Sequence, residues 1–222
     1  MRASVKNRKP VLISFSGIDG AGKSTQIENL SARFRATDRR VLLITFWDDV
    51  ATLKSLREDI GHKVFKGDRG VGTPETPIHR RDKNVRSPLM TIVRLAIYLL
   101  DALSLRKAVR GALRSGVDVV IFDRYIYDEF ANLDLQSATA RLYVLSVMKL
   151  VPRPTLSFVL DADPVQAHAR KPEYPLEFLH SNRESYLRLS RILSDINVIP
   201  PMPLKSAQAE VVQRAHLLLT HE

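Results

Sequence analysis

The feature that most constrains the fold of this chain is a glycine-rich segment at residues 17–25, Gly-Ile-Asp-Gly-Ala-Gly-Lys-Ser-Thr. It matches the pattern G-x-x-x-x-G-K-[ST] at every fixed position. The apolar run at residues 11–15 predicts a buried β-strand before it, and residues 24–34 have the pattern of an amphipathic helix. In this setting the backbone N–H groups and the helix N-terminus hold an anion. The sequence therefore predicts that the chain binds a nucleoside triphosphate.

Particular positions of this phosphate loop have expected roles. Lys23 is expected to contact the β- and γ-phosphates, and the Ser24 hydroxyl is expected to hold Mg²⁺. A glycine-rich turn without a ligand is the alternative, which the flanking strand and helix disfavour. The predicted ATP-binding residues are Gly17, Gly20, Ala21, Gly22, Lys23, Ser24 and Thr25.

The composition of the chain excludes several kinds of chemistry. There is no cysteine, so disulfides, thiolate catalysis and cysteine-bound zinc are excluded. With 45% hydrophobic and 26% charged residues the chain is typical of globular proteins. No secretory signal is evident, so we expect a cytoplasmic location. The net charge of +10 suits small anions, nucleic acid or an acidic membrane equally well.

The alternation of apolar strands and helices predicts one α/β domain over residues 10–222, after a basic tail at residues 1–9. Strands joined by helices pair in parallel. Further strands are predicted at residues 41–46, 117–122, 155–160 and 197–199, and further helices at 51–60, 89–105, 137–150 and 207–219. Residues 61–87 are rich in Gly, Pro, Lys and Arg and predict a long loop that is either functional or disordered.

Acidic residues follow three of the predicted strands, at the sheet edge where ligands bind in open α/β proteins. Asp48 and Asp49 follow the second strand, where they could face a substrate or cap the next helix. Asp123 ends the third strand beside Arg124, and an acid there is the expected partner of a phosphate loop for Mg²⁺. A structural helix cap is the alternative. Asp163 precedes a proline and predicts the start of a helix.

The most apolar stretch, residues 89–105, predicts a buried helix. It is too short and too interrupted for a membrane span, because Arg94 and Asp101 lie inside it. Arg94, Tyr98 and Asp101 share one face of this helix. This face could close an internal Arg94–Asp101 pair or line a ligand site, and we favour the ligand site.

Residues 168–184 form a charged segment that includes Arg170 and Arg183. A mobile segment with arginines near a triphosphate can close over it as a lid and stabilise the transferring charge. An ordinary solvated pair of helices explains the composition equally well.

Three motifs taken together resemble the thymidylate kinase family of P-loop nucleoside monophosphate kinases. They are residues 15–25, with an acid at the third position of the loop, Phe-Asp-Arg-Tyr at 122–125, and Leu-Asp-Ala-Asp-Pro at 160–164 before the lid. The resemblance implies a P-loop NTPase fold, with three α/β/α layers and a five-stranded parallel sheet. It also implies Mg²⁺-dependent phosphoryl transfer from ATP to a nucleoside monophosphate, with dTMP to dTDP as the expected reaction.

The resemblance implies roles for particular residues. Lys23 would neutralise the β- and γ-phosphates, Ser24 and Asp123 would organise Mg²⁺, and Arg124 would hold the acceptor phosphate. Asp19 would contact the acceptor's sugar hydroxyl. The candidate acceptor-binding residues are Asp19, Asp48, Arg94, Tyr98, Arg124 and Tyr127.

The resemblance also implies that the catalytic arginine comes from the lid, because the loop has Gly20 where some members have an arginine. Arg170 is the first candidate and Arg183 the second. The chain departs from the family pattern on the acceptor side. Phe-Trp-Asp-Asp at residues 46–49 replaces an Arg-Glu-Pro-Gly type sequence, and Arg94 is a loose equivalent of the base-reading arginine.

These departures leave the acceptor open. A kinase of another small acceptor, either a nucleoside or a sugar phosphate, is one alternative. A triphosphate-dependent regulatory protein that binds nucleic acid or membrane is the alternative from another class, although we do not expect nucleic acid as a partner. The apolar helix at residues 89–105 could also mediate a homodimer.

Overall fold

The computed structural model describes residues 10–51 and 88–220 of the chain. Three predicted features lie outside the described residues. They are the basic tail at residues 1–9, the helix at 51–60 beyond its first residue, and the long loop at 61–87.

Five parallel strands form a single sheet, with the order β2-β3-β1-β4-β5. Each is a short apolar run, as expected for strands that are covered on both faces. The strands are β1 Val11–Ser16, β2 Val41–Thr45, β3 Val119–Asp123, β4 Leu156–Leu160 and β5 Ile196–Ile199. The predicted fold class, a five-stranded parallel sheet between helices, is confirmed.

Helices cover both faces of this sheet. They are α1 Lys23–Arg35, α2 Pro88–Arg114, α3 Ile126–Phe130, α4 Ala138–Met148, α5 Pro164–Arg170, α6 Leu176–Ile192 and α7 Leu204–Thr220. On one face Phe15 belongs to a core cluster with Phe34 of α1 and Val211 of α7. On the other, Phe122 belongs to a larger cluster that includes Tyr98 of α2 and Leu189 of α6. None of the described helices is long and apolar enough to cross a membrane.

The segment after β2 differs from the prediction. The strand ends at Thr45, and the buried Phe46 begins a single π-helical turn, Phe46–Val50, instead of completing the strand. The Asp49 carboxylate accepts a hydrogen bond from the Thr45 N–H at 2.7 Å. The Asp49 side chain therefore stabilises this turn by a hydrogen bond to the residue that precedes it.

Candidate active site

The phosphate loop between β1 and α1 has the backbone that its glycines allow. Gly17, Gly20 and Gly22 have φ angles of 136°, 80° and 89°, a region that L side chains rarely adopt. Lys23 begins α1, and its Nζ donates to the carbonyls of Gly17 at 2.8 Å and Ile18 at 2.9 Å. Gly22 supplies no side-chain cap, so the first N–H groups of α1 are available to an anion.

Arg124 lies beside this loop, at the corner that follows β3. Its backbone has a φ of 68°, and its N–H donates to the Phe15 carbonyl of β1 at 2.9 Å. Its guanidinium joins two carboxylates, since Nη1 donates to Asp128 at 2.8 Å and Nη2 donates to Asp19 of the loop. The structure therefore brings Asp19 and Arg124, two of the predicted acceptor residues, into direct contact.

The charges of the loop and of the β3 corner affect each other's ionisation. Burial, reinforced by the Arg124 charge, lowers the pKa of Lys23 to about 8. Burial raises the pKa of Asp123, and Lys23 and Arg124 only partly oppose this effect. Burial also acts to raise the pKa of Asp19, but Arg124 and Lys23 outweigh it and lower the value overall. These shifts place Lys23, Asp123 and Arg124 within one electrostatic cluster.

The helix that leads into the lid, α5, begins where predicted and is packed on the loop. Asp163 accepts a hydrogen bond from the Gln166 N–H at 2.9 Å, and the following proline occupies the first turn of α5. A Cβ at Gly20 would lie 2.3 Å from the Ala167 carbonyl oxygen of α5. Position 20 of the loop therefore has no room for a side chain, so an arginine could not occupy it in this arrangement.

The two lid arginines have different surroundings. Arg183 of α6 binds Asp161 at the end of β4 through two hydrogen bonds, one of them 2.8 Å from Nη2 to Oδ2. Arg170 is exposed, and its Nε donates to the Gln166 carbonyl at 3.2 Å. Arg170 also lines a cavity of about 70 Å³ between the loop, α5 and the segment after β5. The other residues around this cavity include Ala21, Gln26, Asp163, Pro200 and Met202.

The remaining candidates for acceptor binding are dispersed. Tyr98 is buried, and burial together with the charge of Glu129 raises the pKa of its hydroxyl well above the ordinary value. Arg94, one turn earlier on α2, is half-buried, and Asp48 is exposed in the π-helical turn. Tyr127 is fully buried, with its hydroxyl 3.0 Å from Ser157 Oγ of β4, so it contacts the sheet.

Sequence reasoning missed one buried acid, Asp128 of α3. Its side chain accepts hydrogen bonds from Ser16 Oγ at 2.6 Å, Arg124 Nη1 at 2.8 Å and the Tyr186 hydroxyl at 2.8 Å. A local signal existed, because Arg124 and Asp128 are four residues apart at the start of a helix. Its partners Ser16 of β1 and Tyr186 of α6 are too distant in sequence to give a local signal.

A phosphate loop, a strand-end acid with an adjacent arginine, and a charged lid on a five-stranded parallel sheet define a P-loop nucleotide-binding protein. No family model matches the chain. It is 29% identical to the thymidylate kinase of Dinoroseobacter shibae, over 93% of this chain and 95% of that protein. It is 28% identical to a probable thymidylate kinase of Thermococcus gammatolerans, over 85% of this chain and 87% of that protein.

A crystal structure of thymidylate kinase from Ehrlichia chaffeensis has the same fold. It superposes with a TM-score of 0.56 and 19% identity, over 93% of this chain and 98% of that one. The chain is therefore similar over most of its length to proteins named thymidylate kinase. The predicted resemblance to the thymidylate kinase family, and the prediction of a nucleoside monophosphate kinase as the class of enzyme, are thereby confirmed.

Proposed function

We propose that the protein transfers the γ-phosphoryl group of ATP to dTMP, in a reaction that requires Mg²⁺. The observation that carries the proposal is the electrostatic cluster of Lys23, Asp123 and Arg124 beside the phosphate loop. The names of the full-length relatives support dTMP as the acceptor. Phosphoryl transfer needs positioning and stabilisation of charge rather than a nucleophilic side chain, and this cluster supplies both.

On the donor side, the loop and the start of α1 would bind the phosphates of ATP. Loop N–H groups would cradle them, and Lys23 would turn from the carbonyls of Gly17 and Ile18 toward the β- and γ-phosphates. A polyanion there favours the charged form of Lys23 and offsets the effect of burial on its pKa. The cavity beside Arg170, which we call the donor cavity, is the candidate site of contact between the lid and the donor nucleotide.

The oxygen ligands near the loop suit Mg²⁺. The exposed hydroxyl of Ser24 and the half-buried carboxylate of Asp123 are oxygen ligands of the kind that Mg²⁺ prefers. Two protein ligands are enough where the phosphates of the nucleotide supply others. In the described part of the chain, no group of three or more His, Cys, Asp or Glu side chains could hold a metal ion. Bound Mg²⁺ would neutralise charge on the phosphates, and Ser24 and Asp123 would hold it there.

On the acceptor side, Arg124 would hold the phosphate of dTMP in line with the γ-phosphoryl group. Asp19, which Arg124 already contacts, would accept a hydrogen bond from the sugar. Arg170 would stabilise charge as the phosphoryl group moves, because the lid carries it to the donor cavity and position 20 of the loop has no room for an arginine. Arg94 and Tyr98 remain candidates for contact with the base.

An assay of ADP release with ATP and Mg²⁺ tests the proposal across dTMP, dUMP, the other monophosphates, thymidine and sugar phosphates. We expect turnover of dTMP, loss of turnover on addition of EDTA, and none in the Lys23→Ala variant. Turnover of a different acceptor, and not of dTMP, would reject dTMP as the substrate. It would also indicate that the departures from the family pattern at residues 46–49 determine which acceptor is bound. Absence of turnover across the whole panel would reject the kinase.

We also propose that two copies of the chain form a homodimer through α2 and α4. Apolar side chains are exposed on both helices, among them Ile92, Leu103 and Leu142. The helices are neighbours, since the Tyr143 hydroxyl of α4 donates to the Leu95 carbonyl of α2 at 2.6 Å. The cytoplasmic location and the single-domain boundaries at residues 10–222 stay predictions.

A further inference from the structure

Asp128 is a buried carboxylate that none of the proposed steps uses. Only 4% of its surface is exposed, yet it accepts hydrogen bonds from four donors. Oδ1 accepts from Arg124 Nη1 and from the Tyr186 hydroxyl, both at 2.8 Å. Oδ2 accepts from Ser16 Oγ at 2.6 Å and from the Tyr125 N–H at 3.3 Å. A buried carboxylate with this many partners is fixed in place.

These donors come from three separate segments of the fold. Ser16 is the last residue of β1 and leads into the phosphate loop. Arg124 and Tyr125 form the corner between β3 and α3. Tyr186 belongs to α6, the helix that contains the end of the lid and continues beyond it. One carboxylate therefore joins the loop, the corner with the acceptor arginine, and α6.

The guanidinium of Arg124 lies between this fixed carboxylate and a more accessible one. Its two carboxylate partners are exposed to different extents, 2% for the side chain of Asp128 and 15% for that of Asp19. A guanidinium has five N–H donors, so both contacts leave donors free for a phosphate. The backbone of Arg124 is held at a φ of 68°, which an arginine adopts only where its surroundings impose it.

We propose that Asp128 is the positioning residue for Arg124 and that it links this arginine, through Tyr186, to α6, the helix that contains the end of the lid. The proposal rests on the proposed function, since it takes Arg124 as the group that binds the acceptor phosphate. Asp128 does not touch the substrate. It holds the guanidinium of Arg124 at the mouth of the site, where the guanidinium would contact both Asp19 and the acceptor phosphate.

Steady-state kinetics of Asp128→Asn test this role, because the amide keeps the shape of the side chain but loses its charge. We expect the KM for the acceptor to rise as part of a fall of about 100-fold in kcat/KM for the acceptor, as when a catalytic group is displaced by about 1 Å. The KM for ATP should change by less than about twofold, since the loop binds ATP. Tyr186→Phe should raise the acceptor KM several-fold, a smaller effect because Arg124 keeps its own contact with the carboxylate.

Tyr143→Phe is the matched control. Its hydroxyl is partly buried but donates to the Leu95 carbonyl of α2 at 2.6 Å, away from Asp128. It should therefore leave both KM values unchanged. Equal changes in the two KM values in Asp128→Asn would indicate a general loss of structure and overturn the proposal. If Asp128→Asn fails to fold, an acceptor KM in Tyr186→Phe equal to that of the wild type overturns it instead.

A crystal structure of Asp128→Asn without ligand separates this proposal from the proposed function. Arg124 turned away from Asp19, or its backbone relaxed to negative φ, would support the role of Asp128 even if the wild type phosphorylated no nucleotide. Arg124 in its wild-type position would overturn it even if the wild type were an active thymidylate kinase.

Discussion

Lys23 illustrates how burial changes the chemistry of a single residue. Its pKa falls from the ordinary value of 10.5 to about 8, because burial and the Arg124 charge disfavour the ammonium form. Between these two values the unfolded chain binds a proton that the folded chain does not. The free energy of unfolding of the ligand-free protein should therefore rise with pH in this window, by at most about 1.4 kcal/mol per pH unit from this residue.

Urea unfolding of the wild type and of Lys23→Gln between pH 7 and pH 10 measures this contribution. The difference in unfolding free energy between the two proteins should be constant below pH 8. Above pH 8 the unfolding free energy of the wild type should rise relative to that of the variant. Other titrating groups are common to both proteins and cancel in the difference. A difference that stays constant over the whole range would contradict the lowered pKa.

Candidate site residues could be named from the sequence where their chemistry lies in contiguous motifs. Lys23 follows its loop directly and Arg124 follows the strand-end Asp123, so local spacing was enough. Asp128 was missed because its partners in β1 and α6 meet only after the chain has folded. The direction of the Tyr127 side chain, which contacts Ser157, depends on the backbone of the β3 corner, and its position in the sequence does not reveal it.

Among the elements, the lid depends on Gly20 for its packing on the phosphate loop. We expect Gly20→Ala to destabilise the protein in two ways. Its φ of 80° costs an alanine about 1 to 2 kcal/mol. Its Cβ would also meet a backbone oxygen of α5, so the lid must shift. Gly116→Ala is the matched control, because φ there is 77° and the nearest atom to a Cβ is 3.5 Å away, at the end of the Arg40 side chain.

Urea unfolding should show a larger loss of stability for Gly20→Ala than for Gly116→Ala. The affinity for ATP should fall in Gly20→Ala alone, because only that substitution displaces α5. Equal losses of stability with equal ATP affinity would show that the lid does not need this contact.

The lid also carries the arginine that should act on the transferring phosphoryl group. Because Arg170 lines the donor cavity and Arg183 is bound to Asp161, Arg170→Ala should lower kcat for dTMP about 100-fold or more. Its unfolding free energy should change by less than about 0.5 kcal/mol, since Arg170 is exposed. Arg188→Ala, on the surface of α6 with Glu184 as its partner, should keep full kcat. Full activity in Arg170→Ala would transfer the role to Arg183.

The fold was more predictable from the sequence than its helix boundaries. The β-strands were located because apolar runs ended by polar or turn residues are a strong local signal. Helix α2 was predicted to end at residue 105, where basic residues begin, but it continues to Arg114. Leu105, Val109 and Ala112 are buried at helical spacing, so packing against the core sustains the helix beyond the apolar run.

At the scale of the whole molecule, net charge and exposed apolar surface have opposite effects on the association of two copies of the chain. A net charge of +10 keeps copies of the chain apart, while exposed apolar side chains on α2 and α4 favour contact between them. Ile92 and Leu142 are 64% and 67% exposed, so a partner that covers these helices would remove them from water. Closed two-fold pairs are the commonest way to bury such a surface. Salt should strengthen the dimer because it screens the repulsion.

Sedimentation velocity at about 10 μM, where a dimer with a submicromolar Kd stays associated, tests this arrangement. The wild type should sediment as a dimer, and Leu103→Glu should sediment as a monomer because it places a charge among the apolar side chains of α2. Leu204→Glu is the matched control, since Leu204 is similarly exposed but lies at the start of α7, on the other face of the sheet. A monomeric wild type at this concentration would contradict the proposed dimer, because the exposed apolar side chains of α2 and α4 would then remain in contact with water.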